Sequence, residues 1–264
     1  MILAGLLLLA VGTADLMRQF IPERRRWIGY LAGGLFVLVL ASGADAGAAG
    51  FAAIAAAALW VMTVPPDGRG RGGFWPIGAL GALCAIAVAT VGGRGEAGPL
   101  GDAWQQYAAL GNAAFDAAVL VCGAIVFLLE SGNVIVRTAL RSEQGAAAAS
   151  DTPATDTALA DTEDADTDRA EESMAARASA PVLRGGRLIG PLERVLVFAL
   201  TLASAYTLIA AVLAAKGIVR FPEINNDRGT GTRAEYFLVG SLVSWVVALA
   251  CAVLVWWGVH ATLL

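Results

Sequence analysis

One lysine and one histidine occur among the 264 residues, and charged side chains make up only 15% of them. Soluble domains carry about a quarter charged residues. A chain this poor in charge, 58% hydrophobic with mean hydropathy +0.68, lacks the polar surface such a domain needs. Cysteine is scarce as well. Cys84, Cys122 and Cys251 each stand alone in an apolar run, without zinc-ligand spacing or a disulfide framework, so buried thiols are expected and no metal site. No HExxH, CxxC or Ser/His/Asp arrangement occurs, and the Gly/Arg loop GRGRGG at 68–73 lacks the Lys-Ser/Thr of a phosphate loop. Neither catalytic residues nor a cofactor are assigned, and no nucleic-acid partner is expected.

The charge that is present is unevenly placed. Residues 142–183 hold ten Asp/Glu and two Arg, a net of −8, whereas the whole chain is at −4. The remainder is therefore a basic body. Its basic residues are seventeen Arg and Lys216, and with abundant Ala and Gly they read as the codon bias of a GC-rich bacterial genome.

About 20 mainly apolar residues are needed to cross the hydrocarbon core as a helix. Seven segments come close: 2–20, 27–44, 47–64, 75–92, 110–130, 195–215 and 236–258. The expected fold class is all-α, a polytopic membrane helical bundle of about seven transmembrane helices. Residues 1–141 would form a five-helix membrane part and 184–264 a two-helix membrane module. Between them, 142–183 is Ala, Thr and Asp with almost no large apolar residue, and reads as a disordered acidic cytoplasmic linker. Only "DA" separates the second span from the third, which predicts a tight helical hairpin.

No basic residue precedes Ile2, and ERRRW at 23–27 follows the first span. This is the reverse of a secretory signal, and places the N-terminus outside. Counting onward by the positive-inside rule, thirteen basic residues are cytoplasmic and five external, and the C-terminus is cytoplasmic. The expected location is a bacterial inner membrane, with the lipid bilayer as first partner. Four of the five external positives, Lys216, Arg220, Arg228 and Arg233, crowd the last external loop, against the rule.

Charged groups inside a bilayer are costly and mark candidate functional positions. Glu130, Asn133, Arg137 and Arg141 share one helix face by their +3, +4, +4 spacing. Asp15, Arg18, Glu130, Asn133, Arg137, Glu193 and Arg194 can form a polar cluster at the cytoplasmic end, either an ion, proton or headgroup site or a set of ion pairs and snorkelling anchors at helix ends. Asp116, with Asn112 on its face, lies toward the opposite leaflet. Pairing it with Lys216 or Arg220 would remove two isolated charges together.

The sequences GRLIGPLER (186–194), AAKGIVRFPEI (214–224) and AEYFLVGSLVSW (234–245) resemble the C-terminal module of a bacterial family of integral membrane proteins. That pattern runs GRLIG-x-LER, an apolar helix, AAK-x-x-x-RF-x-E and EY-x-L-x-G-[ST]-L-x-S. The resemblance implies a fold and a set of positions, among them Glu193, Arg194, Lys216, Arg220, Glu223 and Glu235, and no reaction. Pro191 departs from it, standing where the family often has an aromatic residue, and suits the first turn of a helix starting there.

Three function classes follow. The first is membrane-embedded binding or transport of a small ion or solute, gated by Lys216, Arg220, Glu223 and Glu235 with Asp116 and Glu130 opposite. The second is a non-transporting scaffold recruiting a protein partner through the acidic linker. The third is a lipid-modifying membrane enzyme using the cytoplasmic-side carboxylates.

Overall fold

A computed structural model describes residues 1–65, 74–90, 94, 97–107, 114–150, 186–225 and 232–261. Among these the regular elements are helices: α1 (Ile2–Phe20), a 3-10 turn (Glu23–Arg25), α2 (Arg26–Gly43), α3 (Gly47–Thr63), α4 (Trp75–Thr90), α5 (Gly98–Tyr107), α6 (Phe115–Ser150), α7 (Gly186–Leu202), α8 (Tyr206–Asn225) and α9 (Thr232–Ala261). Four stretches are long and apolar enough to cross a membrane: Ile2–Phe20, Glu23–Gly43, Phe115–Ser142 and Leu238–His260. Gly47–Thr63, Trp75–Thr90 and Tyr206–Ile218 are apolar but shorter. The all-helical architecture with several apolar spans is compatible with a membrane protein. The span expected at 110–130 begins instead at Phe115, and its helix runs on to Ser150, over the first residues of the expected linker. The rest of that linker, 151–183, lies outside the described residues.

At the centre is α1. Its Leu6, Leu7, Leu8 and Val11 are buried on every side, as a helix without a polar face requires. Around it pack α6, α3, α2 and α4. The α1–α6 contact is made backbone to backbone. A Cβ at Gly5 would stand 2.8 Å from Leu120 N, and one at Gly12 would stand 2.7 Å from Phe127 N. These glycines are seven residues apart and so are their partners, so the helices run parallel in heptad register. From the other side Gly123 faces the carbonyl oxygen of Gly5. Small residues at such a seam let two helices touch through their main chains.

Two hairpins close with the same turn chemistry. Between α2 and α3, Asp45 takes a φ of 52°, while Asp45 N–H donates to Ser42 O and Ala46 N–H to Ala41 O. Between α7 and α8, Ser204 takes a φ of 56°, while Ser204 N–H donates to Thr201 O and Ala205 N–H to Leu200 O. Each is a paired 5→2 and 6→1 helix stop around one left-handed residue, with a short polar side chain where glycine is usual. The first is the hairpin expected from "DA". The second divides the span expected at 195–215 into two helices, which is a correction. The start of α7 differs too, since Pro191 lies inside the helix and not at its first turn.

Of the remaining helices, α9 runs antiparallel to α6, with Gly240 beside Leu140 and Gly258 beside Leu120 and Met1. Cys84 and Cys251 are buried as expected, whereas Cys122 is exposed. Gly12→Ala is expected to push α1 from α6 and lower stability by about 1–3 kcal/mol, as overpacking does. Gly81→Ala, with nothing within 4 Å of the added methyl, should leave stability unchanged or slightly higher. Thermal unfolding in detergent compares the two.

Candidate functional site: a charged layer across the bundle

Buried charges survive only when paired and hydrogen-bonded, so the first question is where each charge finds its partner. At one end, Arg94 follows α4 and grips Asp116 at the start of α6 as a fork, Nε to Oδ2 at 3.2 Å and Nη2 to Oδ1 at 2.8 Å. Its Nη1 donates to Ala44 O at 2.8 Å, tying in the α2–α3 turn. The Asp116 carboxylate, hydrogen-bonded to it, holds the Arg94 guanidinium above its ordinary pKa. Asp116 thus has its cation, and it is not Lys216. Asn112 lies outside the described residues.

The other charges gather near the opposite end, in one layer. Asp15 on α1 is buried. It accepts from Arg18 Nη1 at 3.2 Å, Trp60 Nε1 at 3.0 Å and Ser131 Oγ at 2.7 Å. Arg18 also donates from Nη1 to Val64 O at 2.8 Å and from Nη2 to Val61 O. Those carbonyls, at the C-terminal end of α3, have no onward helical donor and need one. Heptad register in the α1–α6 seam is what delivers Ser131 to Asp15.

One residue either side of Ser131 the layer continues. Glu130 is buried and accepts from Asn133 Nδ2 at 3.0 Å. Asn133 Oδ1 in turn accepts from Arg194 Nη2 at 2.7 Å. Arg194, on α7 and only 2% exposed, also donates from Nε to Leu128 O at 2.9 Å. Gly132 admits it: a Cβ there would lie 2.5 Å from Arg194 Nε.

On the outer side of α7, Glu193 accepts from Lys216 Nζ on α8, at 2.7 Å to each carboxylate oxygen. Trp245 Nε1 of α9 donates to Glu193 Oε1 at 2.9 Å, and Lys216 stands 5.4 Å from the Trp245 ring centroid, within cation–π range. An unbroken helix would hold residues 193 and 216 roughly 35 Å apart, at about 1.5 Å per residue. Their contact therefore requires α8 to double back along α7 after Ser204.

The layer balances three cations, Arg18, Arg194 and Lys216, against three carboxylates, Asp15, Glu130 and Glu193. With Trp60 and Trp245 it joins six helices, α1, α3, α6, α7, α8 and α9. Asp15, Arg18, Glu130, Asn133, Glu193 and Arg194, expected together from the sequence, do lie together. Arg137 is exposed, one turn beyond Asn133. Arg220, Glu223 and Glu235 lie on α8 and α9 at positions whose side chains fall outside the described residues. The expected pairing of Lys216 with Asp116 is overturned, because 14 residues of α6, about 21 Å of rise, separate Asp116 from Glu130, whose layer contains Lys216.

Sequence reasoning missed Trp60, Ser131 and Trp245 as partners and Arg94 as the cation of Asp116. Trp60, Ser131 and Trp245 reach their partners from other helices and Arg94 from a connection, where no spacing rule applies. The α7–α8 turn did carry a signal: Ala203-Ser204-Ala205 repeats the Ala44-Asp45-Ala46 turn. No group of three or more His, Cys, Asp or Glu among the described residues could hold a metal ion. Comparison with protein-family models, curated proteins and solved structures finds no match.

A double-mutant cycle of Glu193→Gln and Lys216→Met is expected to give a coupling of about 1–3 kcal/mol, as for directly contacting charges. The cycle of Asp116→Asn and Lys216→Met should give none. Thermal unfolding of the four variants and the parent measures both.

Proposed function

We propose that the chain is a multi-pass inner-membrane protein whose charged layer binds a small cation or proton and passes it across one leaflet. The single observation that supports this most is the Glu193–Lys216 pair. It joins the two arms of the α7–α8 hairpin, one residue from the buried Arg194–Asn133–Glu130 chain. Broken helices that bring ionisable groups to the interior of a bundle are the usual way membrane proteins build ion sites. Lys216 and Glu193 have side chains 24% and 12% exposed, against a buried Glu130 and Asp15. The pair is therefore the gate-like outer contact of the layer, and Glu130 and Asp15 are its interior acceptors.

The doubled-back hairpin also supports a revised topology. With α7 and α8 entering and leaving on the same side, Lys216, Arg220, Arg228 and Arg233 join the cytoplasmic positives. Seventeen of the eighteen basic residues are then inside. The exception is Arg94, which Asp116 neutralises. The N-terminus stays outside, and the C-terminus moves outside with it. The violation of the positive-inside rule disappears.

One observation favours the scaffold reading. The cavity between α1, α2 and α3 is lined by apolar groups, and each carboxylate of the layer already has a donor. A dry, fully paired bundle would hold a shape for partners, including one recruited by the acidic linker.

Two measurements decide. After replacement of the native cysteines, Gly229→Cys and Ala158→Cys should both be shielded from an impermeant maleimide applied outside, and labelling of Gly229→Cys from outside would contradict the topology. In proteoliposomes with an internal pH dye, flux above empty vesicles is expected. Lys216→Met should change it by roughly tenfold or more, about 1.4 kcal/mol in a barrier. Flux equal to empty vesicles across proton, Na⁺ and K⁺ gradients would favour the scaffold.

A further inference from the structure

Between α1, α2 and α3 lies a half-open cavity of about 270 Å³. Small residues line it: Gly34 of α2 and Ala57 and Ala58 of α3 leave space there, while Gly29 and Gly33 are packed closely against Met17 and Thr13 of α1. Along α2 it extends from Gly29 to Val37, a rise of about 12 Å. It is a channel parallel to the helix axes, shaped for a chain and not for a compact solute.

One end of this channel is strongly basic. Gly29 and Tyr30 line it, and one turn earlier on the same helix stand Arg26 and Trp27, preceded by Arg24 and Arg25. Arg24 and Arg25 are exposed, and Trp27 is 61% exposed. Arg26 is partly engaged by Glu23 at 3.2 Å, which leaves the triplet with a net positive charge. Arginine is the side chain best suited to planar, bidentate contact with phosphate, and an exposed tryptophan beside it marks headgroup depth.

We infer that this groove holds one acyl chain of an anionic phospholipid whose phosphate-bearing headgroup is bound by Arg24, Arg25 and Arg26. The occupant is a bilayer lipid, because the groove is apolar along its length and charged only at one end. The inference rests on the membrane reading of the chain and is independent of ion passage through the charged layer.

The test uses the full chain in nanodiscs doped with spin-labelled phosphatidylglycerol or spin-labelled phosphatidylcholine, reading the motionally restricted fraction by electron paramagnetic resonance. The parent protein should restrict phosphatidylglycerol roughly fivefold or more over phosphatidylcholine, as expected when several arginines meet one headgroup. Ala58→Phe, at an exposed position that fills the groove without entering the core, should abolish the restricted phosphatidylglycerol fraction. The triple variant Arg24→Gln, Arg25→Gln, Arg26→Gln should erase the preference while some chain binding persists. Equal restriction of the two lipids by the parent, or an unchanged phosphatidylglycerol fraction in Ala58→Phe, would overturn the proposal. Failure to incorporate into nanodiscs would instead count against the membrane reading itself.

Discussion

Two main chains touch at the centre of this molecule, and its polar architecture is aligned by that touch. Gly5 and Gly12 of α1 meet Leu120 and Phe127 of α6 with no room for a methyl group between them. Both partners advance by seven, and one turn further on, three residues past Gly12 and four past Phe127, the seam brings Asp15 to Ser131. A shift of one residue would turn Ser131 away and leave a buried carboxylate short of a donor, a loss of about 1–3 kcal/mol or more. Glycine at the seam and charge in the layer are in this sense one design: the close contact sets the register, and the register satisfies the charge.

From Ser131 the consequences spread outward through neighbours on α6. Gly132 makes the space for Arg194, Asn133 relays between Arg194 and Glu130, and Glu193 next to Arg194 calls in Lys216 and Trp245. Each of α7, α8 and α9 is thereby held by a polar contact as well as by packing. This matters most for α8, whose main packing neighbour among the described helices is α7. Its Tyr206, Leu208 and Ile218 are exposed. An ion pair on a helix so lightly packed is more easily opened than one in the core, where low local contact density and low local stability go together. The functional reading rests on that asymmetry between a partly buried pair and fully buried acceptors.

Much of this was legible in the sequence where a periodic rule applied. The apolar runs announced helices, "DA" announced the α2–α3 hairpin, and i, i+3 spacing announced Asp15 with Arg18 and Glu130 with Asn133. Hydropathy could not see the α7–α8 break, because Thr201 to Tyr206 is as apolar and small as its surroundings and contains neither Gly nor Pro. The stop is encoded in one left-handed serine and two backbone hydrogen bonds. Missing it sent Lys216 to the wrong end of the bundle and toward Asp116, when Arg94, in a short connection with no periodicity, was the actual partner. The charge-rule conflict at Lys216 and Arg220 arose in a reading that lacked this turn.

The central claim is that α8 doubles back on α7 so that Lys216 meets Glu193. Spin labels at Leu192→Cys and Ile218→Cys, both exposed positions, test it by pulsed dipolar spectroscopy in nanodiscs, with the native cysteines replaced. Packed neighbouring helices lie about 8–10 Å apart axis to axis, so a distance within roughly 20 Å is expected. A distance near 39 Å, the rise of about 26 residues of continuous helix, would contradict the account.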